Sequence, residues 1–215
     1  MQRDALFADI ALPDSHTLRL CTTHLESLRA SPPLRPAQLA VAAQYLRQAH
    51  AGVLGGDLNA IEAFDRTLHA ECGLRDAYLE MGGKEGEEAG MTWGQMVGRR
   101  QRERFGLGRL DKILFWGGGG EGQGEGGVVM KVVRFGRFGL DVVVEDEGAA
   151  ARLVCGGELE KAWVTDHLGV RAEFRVEVLE KKLKEKETGR EVVGEIRETG
   201  VEAGDGQEPV QAPSG

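Results

Sequence analysis

The sequence predicts a mixed α/β (α+β) fold, and three observations predict it. Short apolar runs of strand character recur along the first 176 residues. One stretch between them repeats its apolar residues at helical spacing. Clusters of Pro, Gly, Asp and Ser punctuate the runs where the chain has to turn.

The elements follow in order. Ala5 to Ala11 reads as a strand, Pro13-Asp14-Ser15 as a turn and Thr17 to Thr22 as a second strand, together a hairpin. Pro32, Pro33 and Pro36 break the next stretch, and a helix follows to about His50. Its apolar positions Leu39, Ala42, Ala43, Leu46 and Ala49 fall on one face. Gly52-Val53-Leu54 is a short buried strand that runs into Gly55-Gly56, a pair suited to a sharp turn or a close backbone approach. Ile61 to Ala70 reads as a helix, and Met91-Thr92-Trp93 as a loop or strand edge. Leu110 to Trp116, Val128 to Phe135 and Gly169 to Val176 read as strands. Between 117 and 127, eight of eleven residues are glycine, which reads as a flexible insert. Residues 177–215 are highly charged and then rich in Gly, Glu, Pro and Ser, and read as a largely disordered tail. One domain over residues 1–176 is therefore expected.

Composition narrows the function. Acidic residues outnumber basic ones 35 to 27, a net charge of -8, which argues against coating nucleic acid through overall charge. Cys21, Cys72 and Cys155 have neither disulfide nor zinc-ligand spacing and read as buried, reduced thiols. No stretch approaches the roughly 20 apolar residues of a membrane span, and Arg3, Asp4 and Asp9 interrupt the start. A nuclear or cytoplasmic setting is expected, with no membrane partner.

Three polar strings sit at strand ends: Thr23-His24-Leu25-Glu26-Ser27, Gly55-Gly56-Asp57-Leu58-Asn59 and Thr165-Asp166-His167. An aspartate such as Asp57 can take a proton from an attacking water, and Asn59 can hold that water or a phosphate oxygen without adding charge. An Asx turn explains the same pair structurally. His167 can donate to a phosphoryl oxygen and Asp166 can bind a hard cation; a strand-end or capping pair is the structural alternative. Asp111 can orient an imidazole, or pair with Lys112 or Arg109. His24 reads either as a site residue or as a core histidine, while His16, His50 and His69 read as structural. Arg99 to Lys112 carries six basic residues against Glu103 and Asp111, net +4, which suits a polyanionic substrate. Trp93 can stack on a base or an aromatic leaving group.

In this order the strings resemble the endonuclease/exonuclease/phosphatase superfamily. His24-Leu25-Glu26-Ser27, Arg35-Pro36-Ala37-Gln38-Leu39 and Gly90-Met91-Thr92-Trp93 are most similar to its 5′-tyrosyl-DNA phosphodiesterase branch. Gly56-Asp57-Leu58-Asn59, Arg109-Leu110-Asp111 and Thr165-Asp166-His167 match the superfamily generally. The resemblance implies a two-layer β-sandwich flanked by helices and a phosphodiesterase that uses magnesium (or manganese). Its substrate would be a nucleic-acid 5′-phosphotyrosyl or related phosphodiester, DNA ends included, and its setting DNA repair. It implies a catalytic set of Asp57, Asn59, His167, Asp111 and His24. Ser27, Trp93 and Arg109 would bind substrate, and Asp166 would lie at the metal. It covers the C-terminal half of the family's domain. The expectation is therefore a domain truncated at its N-terminus, without the main metal-binding Glu and part of one sheet, completed by a partner or a missing N-terminal segment. Two further expectations stand beside it: an inactive half-domain that binds phosphate or nucleic acid, and a phosphatase or phospholipid head-group phosphodiesterase of the same fold.

Overall fold

The computed structural model describes residues 3–117 and 127–179. The glycine-rich insert expected at 117–127 and the charged tail expected at 177–215 thus lie almost wholly outside the described residues.

Strands β1 (Ala5–Ala11) and β2 (Thr17–Thr23) form the expected antiparallel hairpin around a 3₁₀ turn at Pro13–Ser15. Helix α1 (Arg35–Leu46) then crosses over to β3 (Ala51–Asp57), which lies parallel to β2; a parallel neighbour requires such a long connection. Helix α2 (Leu68–Glu71), the short strand β4 (Arg75–Asp76) and helices α3 (Ala77–Glu80) and α4 (Arg99–Phe105) lead to β5 (Asp111–Trp116). The strand order of this sheet is β1-β2-β3-β5-β4, with β5 antiparallel to both neighbours. Strands β6 (Val128–Phe138) and β7 (Gly169–Val178), with helix α5 (Glu147–Val154) between them, form a separate antiparallel ribbon. The mixed α/β prediction holds.

The five-stranded sheet has a core on each face. On one side α1 buries Leu39, Ala42, Ala43 and Leu46 against Cys21, Leu54, Leu58 and Leu114. On the other, Ala51 and Phe115 meet Val128, Met130 and Val132 of β6. Alternation along the strands divides the two sets, since Leu114 faces the helix and Ile113 and Phe115 face the ribbon. Each large side chain so buried contributes on the order of 1.5–3 kcal/mol.

The ribbon covers only part of its side of the sheet. The inward side chains of β6 are buried, but Ala172, Phe174 and Val176 of β7 are half-buried. Beyond them lies an open groove of about 590 Å³ floored by Leu18, Leu20 and Val53. Ile10 and Ala8 of β1 lie opposite Leu18 and Leu20, and Leu6 opposite Thr22, so they extend this floor. Leu6 is 71% exposed and Ile10 44% exposed. Among the described residues β7 pairs with β6 alone and β1 with β2 alone. Among the described residues this part of the sheet face is uncovered.

Several local expectations need correction. The helix expected at Ile61 to Ala70 is a 3₁₀ turn, Ala63–Arg66, followed by the single turn of α2. The cause is Glu62 and Asp65, which cap each other's backbone and fix the turn. Helix α1 ends at Leu46 rather than near His50, because Ala51 must enter the sheet beside Leu18. Cys155 is exposed, whereas Cys21 is buried, and burial pushes the Cys21 thiol up to about 11. Among the described residues no helix is long and apolar enough to cross a membrane.

Candidate active site

Three strand ends meet at one rim of the five-stranded sheet. Asp57 closes β3 and Asp111 opens β5, and the two are direct partners in the antiparallel register. Paired residues share a sheet face, so both carboxylates project to the same side. His167 stands two residues before β7 and is docked by a backbone bridge to Trp93. The strings separated by more than a hundred residues in sequence are thereby joined.

The contacts are specific. His167 Nδ1 lies 2.8 Å from Asp111 Oδ2, so the ring donates to that carboxylate. His167 Nε2 then faces Asp57 Oδ2 at 4.0 Å, and His24 Nε2 faces the same oxygen at 3.5 Å. The other oxygen, Asp57 Oδ1, accepts the Asn59 backbone N–H at 2.9 Å. This is the Asx turn of the structural alternative, and it coexists with a site instead of replacing one. It holds Asn59 at a φ of +47°, and the carboxamide donates to the Leu25 carbonyl at 2.9 Å. Asn59 is buried, and its amide nitrogen staples the loop after β2 to the loop after β3. The turn also needs Gly56: at its φ of +155° a Cβ would fall 1.9 Å from the Thr23 carbonyl oxygen.

Two ionisable groups of the rim are both shifted upward. Burial pushes the Asp57 carboxyl above the usual range, helped by the negative charge of Asp111 and opposed by the Asn59 N–H and the two imidazoles. The hydrogen bond to Asp111 pushes His167 up, against burial, and the charges of Asp111, Asp57 and Asp166 add to it. The rim therefore pairs an acceptor that binds a proton more readily than an ordinary aspartate with a ring that holds its proton more tightly than an ordinary histidine.

Asp57, Asp111 and His167 each place one potential ligand atom within 4.8 Å of the others. Magnesium takes oxygen ligands, keeps several waters and is held through one or two carboxylates, so Asp57 and Asp111 are the members of the trio suited to it, while the imidazole nitrogen nearest Asp111 is spent on a hydrogen bond. The trio is a candidate metal site and does not fix which metal it would take.

The other expected residues divide. Asp166 is at the rim, accepting from Trp93 Nε1 at 3.4 Å. Trp93 packs edge-on against Phe105, whose ring centroid is 6.2 Å away, and Arg104 lies over Phe105 at 4.9 Å. Ser27 is exposed, and its hydroxyl accepts from Arg3 at 3.0 Å, outside the hydrogen-bonded cluster. Arg109, expected to bind substrate, is instead buried: its guanidinium donates to Asp76 at 2.8 Å and to Glu85. Lys112 is buried beside it, 3.3 Å from Glu85. The basic loop expected over Arg99 to Lys112 is thus split into an exposed helix, α4, bearing Arg99, Arg100, Arg102 and Arg104, and a buried pair committed to carboxylates. Phe105 and Thr92 were missed as candidates. An aromatic beside four arginines was a usable signal for the first.

No family model matches the sequence, and no curated protein matches it. Solved structures do. A D. rerio TDP2 complexed with single strand DNA product is 20% identical, with a TM-score of 0.54 over 80% of this chain and 62% of that one. A mannosyl-6-phosphatase of Bacteroides thetaiotaomicron is 15% identical, with a TM-score of 0.51 over 80% and 57% of the two chains. An endonuclease/exonuclease/phosphatase family protein from Leptotrichia buccalis is 14% identical, with a TM-score of 0.50 over 80% and 53%. The chain spans less than two thirds of the length of each. The fold of this chain is that of the endonuclease/exonuclease/phosphatase proteins, with TDP2 among its structural neighbours.

Proposed function

We propose that this chain is a phosphoric ester hydrolase whose substrate is a nucleic-acid phosphodiester, a 5′-phosphotyrosyl or related end being the leading form. The observation that carries the reading is the Asp111–His167–Asp57 arrangement: a 2.8 Å carboxylate–imidazole bond on one side of the ring and a 4.0 Å gap to a second carboxylate on the other. A phosphoryl group and its attacking water are to be placed over this pair, the phosphoryl oxygens against the ring and the water against the carboxylate.

In this reading Asp57 Oδ2 accepts a proton from the water as its oxygen bonds to phosphorus. The bond to the leaving oxygen breaks on the opposite side and takes its electron pair. Charge building up on the non-bridging oxygens is met by the N–H of His167 Nε2, with His24 beside it. Asp111 favours the charged form of His167 and orients its ring. Asn59 acts through the backbone turn that aims Asp57, rather than by holding the water with its amide nitrogen. Trp93 and Phe105 offer rings to a base or a tyrosyl leaving group, and the arginines of α4 offer positive charge to a polyanion. A divalent ion, magnesium or manganese, enters through the family resemblance, with Asp166 as its neighbour. Asp57 and Asp111 of the rim trio would be the carboxylates nearest to it, and no step is routed through it. A nuclear or cytoplasmic setting belongs to the same reading.

A 5′-phosphotyrosyl oligonucleotide incubated with the chain in magnesium buffer tests this. Release of tyrosine that is lost in Asp57→Asn supports it; release unchanged in that variant sinks it. The second reading, a half-domain that binds nucleic acid without cleaving it, rests on the exposed arginines of α4 beside the Trp93 and Phe105 rings. It predicts binding of the oligonucleotide with no product.

A further inference from the structure

Thr92 is 1% exposed and sits directly behind the rim. Its hydroxyl oxygen accepts two backbone N–H groups, Leu110 at 3.1 Å and Asp111 at 3.0 Å. Its carbonyl accepts the N–H of Leu168 at 2.7 Å, one residue from His167. Its own N–H is held by Gly108 at 2.8 Å. One buried residue therefore grips the backbone beneath both members of the Asp111–His167 pair.

We propose that Thr92 is a positioning residue that sets the Asp111–His167 hydrogen bond. The physical reason is the way backbone donors are satisfied at the start of β5. The Asp111 main chain enters the sheet there, and the threonine hydroxyl takes two donors that would otherwise be buried without partners. Removing that oxygen frees the Asp111 main chain to seek other partners, and the carboxylate moves with it. Either hydroxyl residue supplies the oxygen, and in threonine branching at Cβ further restricts χ1 and helps hold it in place. The catalytic consequence rests on the hydrolase reading; the geometric one does not.

The test uses the low-field proton NMR signal of an imidazole N–H bonded to a carboxylate, assigned to His167 by its loss in His167→Asn. The signal is expected in the parent chain and in Thr92→Ser, and it is expected to vanish or move upfield in Thr92→Val and Thr92→Ala. In the hydrolysis assay kcat is expected to fall about tenfold in Thr92→Val, with KM within about twofold, and to recover in Thr92→Ser. A signal absent from the parent chain, or unchanged in Val and Ala, overturns the proposal. If both variants lose cooperative unfolding, amide exchange in the parent chain decides: slow exchange at Leu110 and Asp111 supports the grip and fast exchange overturns it. Loss of the signal in Thr92→Val without any hydrolysis by the parent supports the positioning role and sinks the hydrolase reading alone.

Discussion

Replacing Asp111 by Asn puts the electrostatics of the rim to a quantitative test. The substitution keeps an oxygen that can accept from His167 Nδ1 at the 2.8 Å position but removes its charge. A hydrogen bond to a charged partner contributes roughly 1.5–3 kcal/mol and a neutral one about 1. The His167 side chain is 26% exposed, so the difference is partly screened, and we take about 1 kcal/mol. The sign depends on pH. Folded His167 holds its proton more tightly than the unfolded ring does. Its stabilisation is complete below the ordinary histidine pKa of about 6.5 and is lost as pH rises through the folded value above that. Asp111→Asn is therefore expected to lower Tm by about 2–4 °C at pH 5.5 and by clearly less at pH 9. Calorimetry at the two pH values, with the His167 ring followed by NMR, reads both consequences. An equal loss of Tm at both, or a His167 titration that does not move down, would refute the reasoning.

Other outcomes follow from the same geometry. Asp57→Asn is expected to abolish hydrolysis and raise Tm at pH 7. A carboxyl whose folded pKa lies above its unfolded one stabilises only at low pH, so its ionised form is a cost at neutrality; a lower Tm at pH 7 would contradict this. Arg35→Met is expected to destabilise by about 3–5 kcal/mol in urea unfolding, because the buried guanidinium binds both Asp65 oxygens at 2.8 Å. Gly56→Ala is expected to leave little cooperatively folded protein by circular dichroism, since the Thr23 carbonyl occupies the Cβ position. Trp93→Ala is expected to raise KM for an oligonucleotide by about tenfold, from roughly 1–3 kcal/mol of lost stacking per base, and to spare a small aryl phosphodiester.

Much of the rim was legible in the sequence because its residues occur at the ends of short apolar runs, and strand ends in a sheet are brought to common edges. Asp57 and Asp111 illustrate this: each abuts a run that could only be a buried strand, and the sheet register made them neighbours. Arg109 shows the converse. A charge in sequence reads as surface, and the carboxylates that bury it, Asp76 and Glu85, lie 33 and 24 residues away. Asn59 was read as a chemical group, whereas its amide is spent on Leu25, a partner 34 residues earlier. The helix expected at Ile61 to Ala70 failed for a similar reason. Asp65 serves Arg35 and the Glu62 backbone at once, and that demand fixes a tight turn where propensity alone allowed a longer helix. Thr92 left no chemical mark in the sequence, since its function is to satisfy backbone donors 18 and 19 residues away.

The exposed leucines and isoleucine of the first hairpin, together with a ribbon edge that pairs with no further strand among the described residues, bear on how any melting experiment must be run. Chains that collide there can continue each other's sheets and leave solution, and partial opening on heating widens that route. Midpoints will then drift with scan rate and protein concentration, and inactivation half-lives at fixed temperature become the sounder scale for ranking variants.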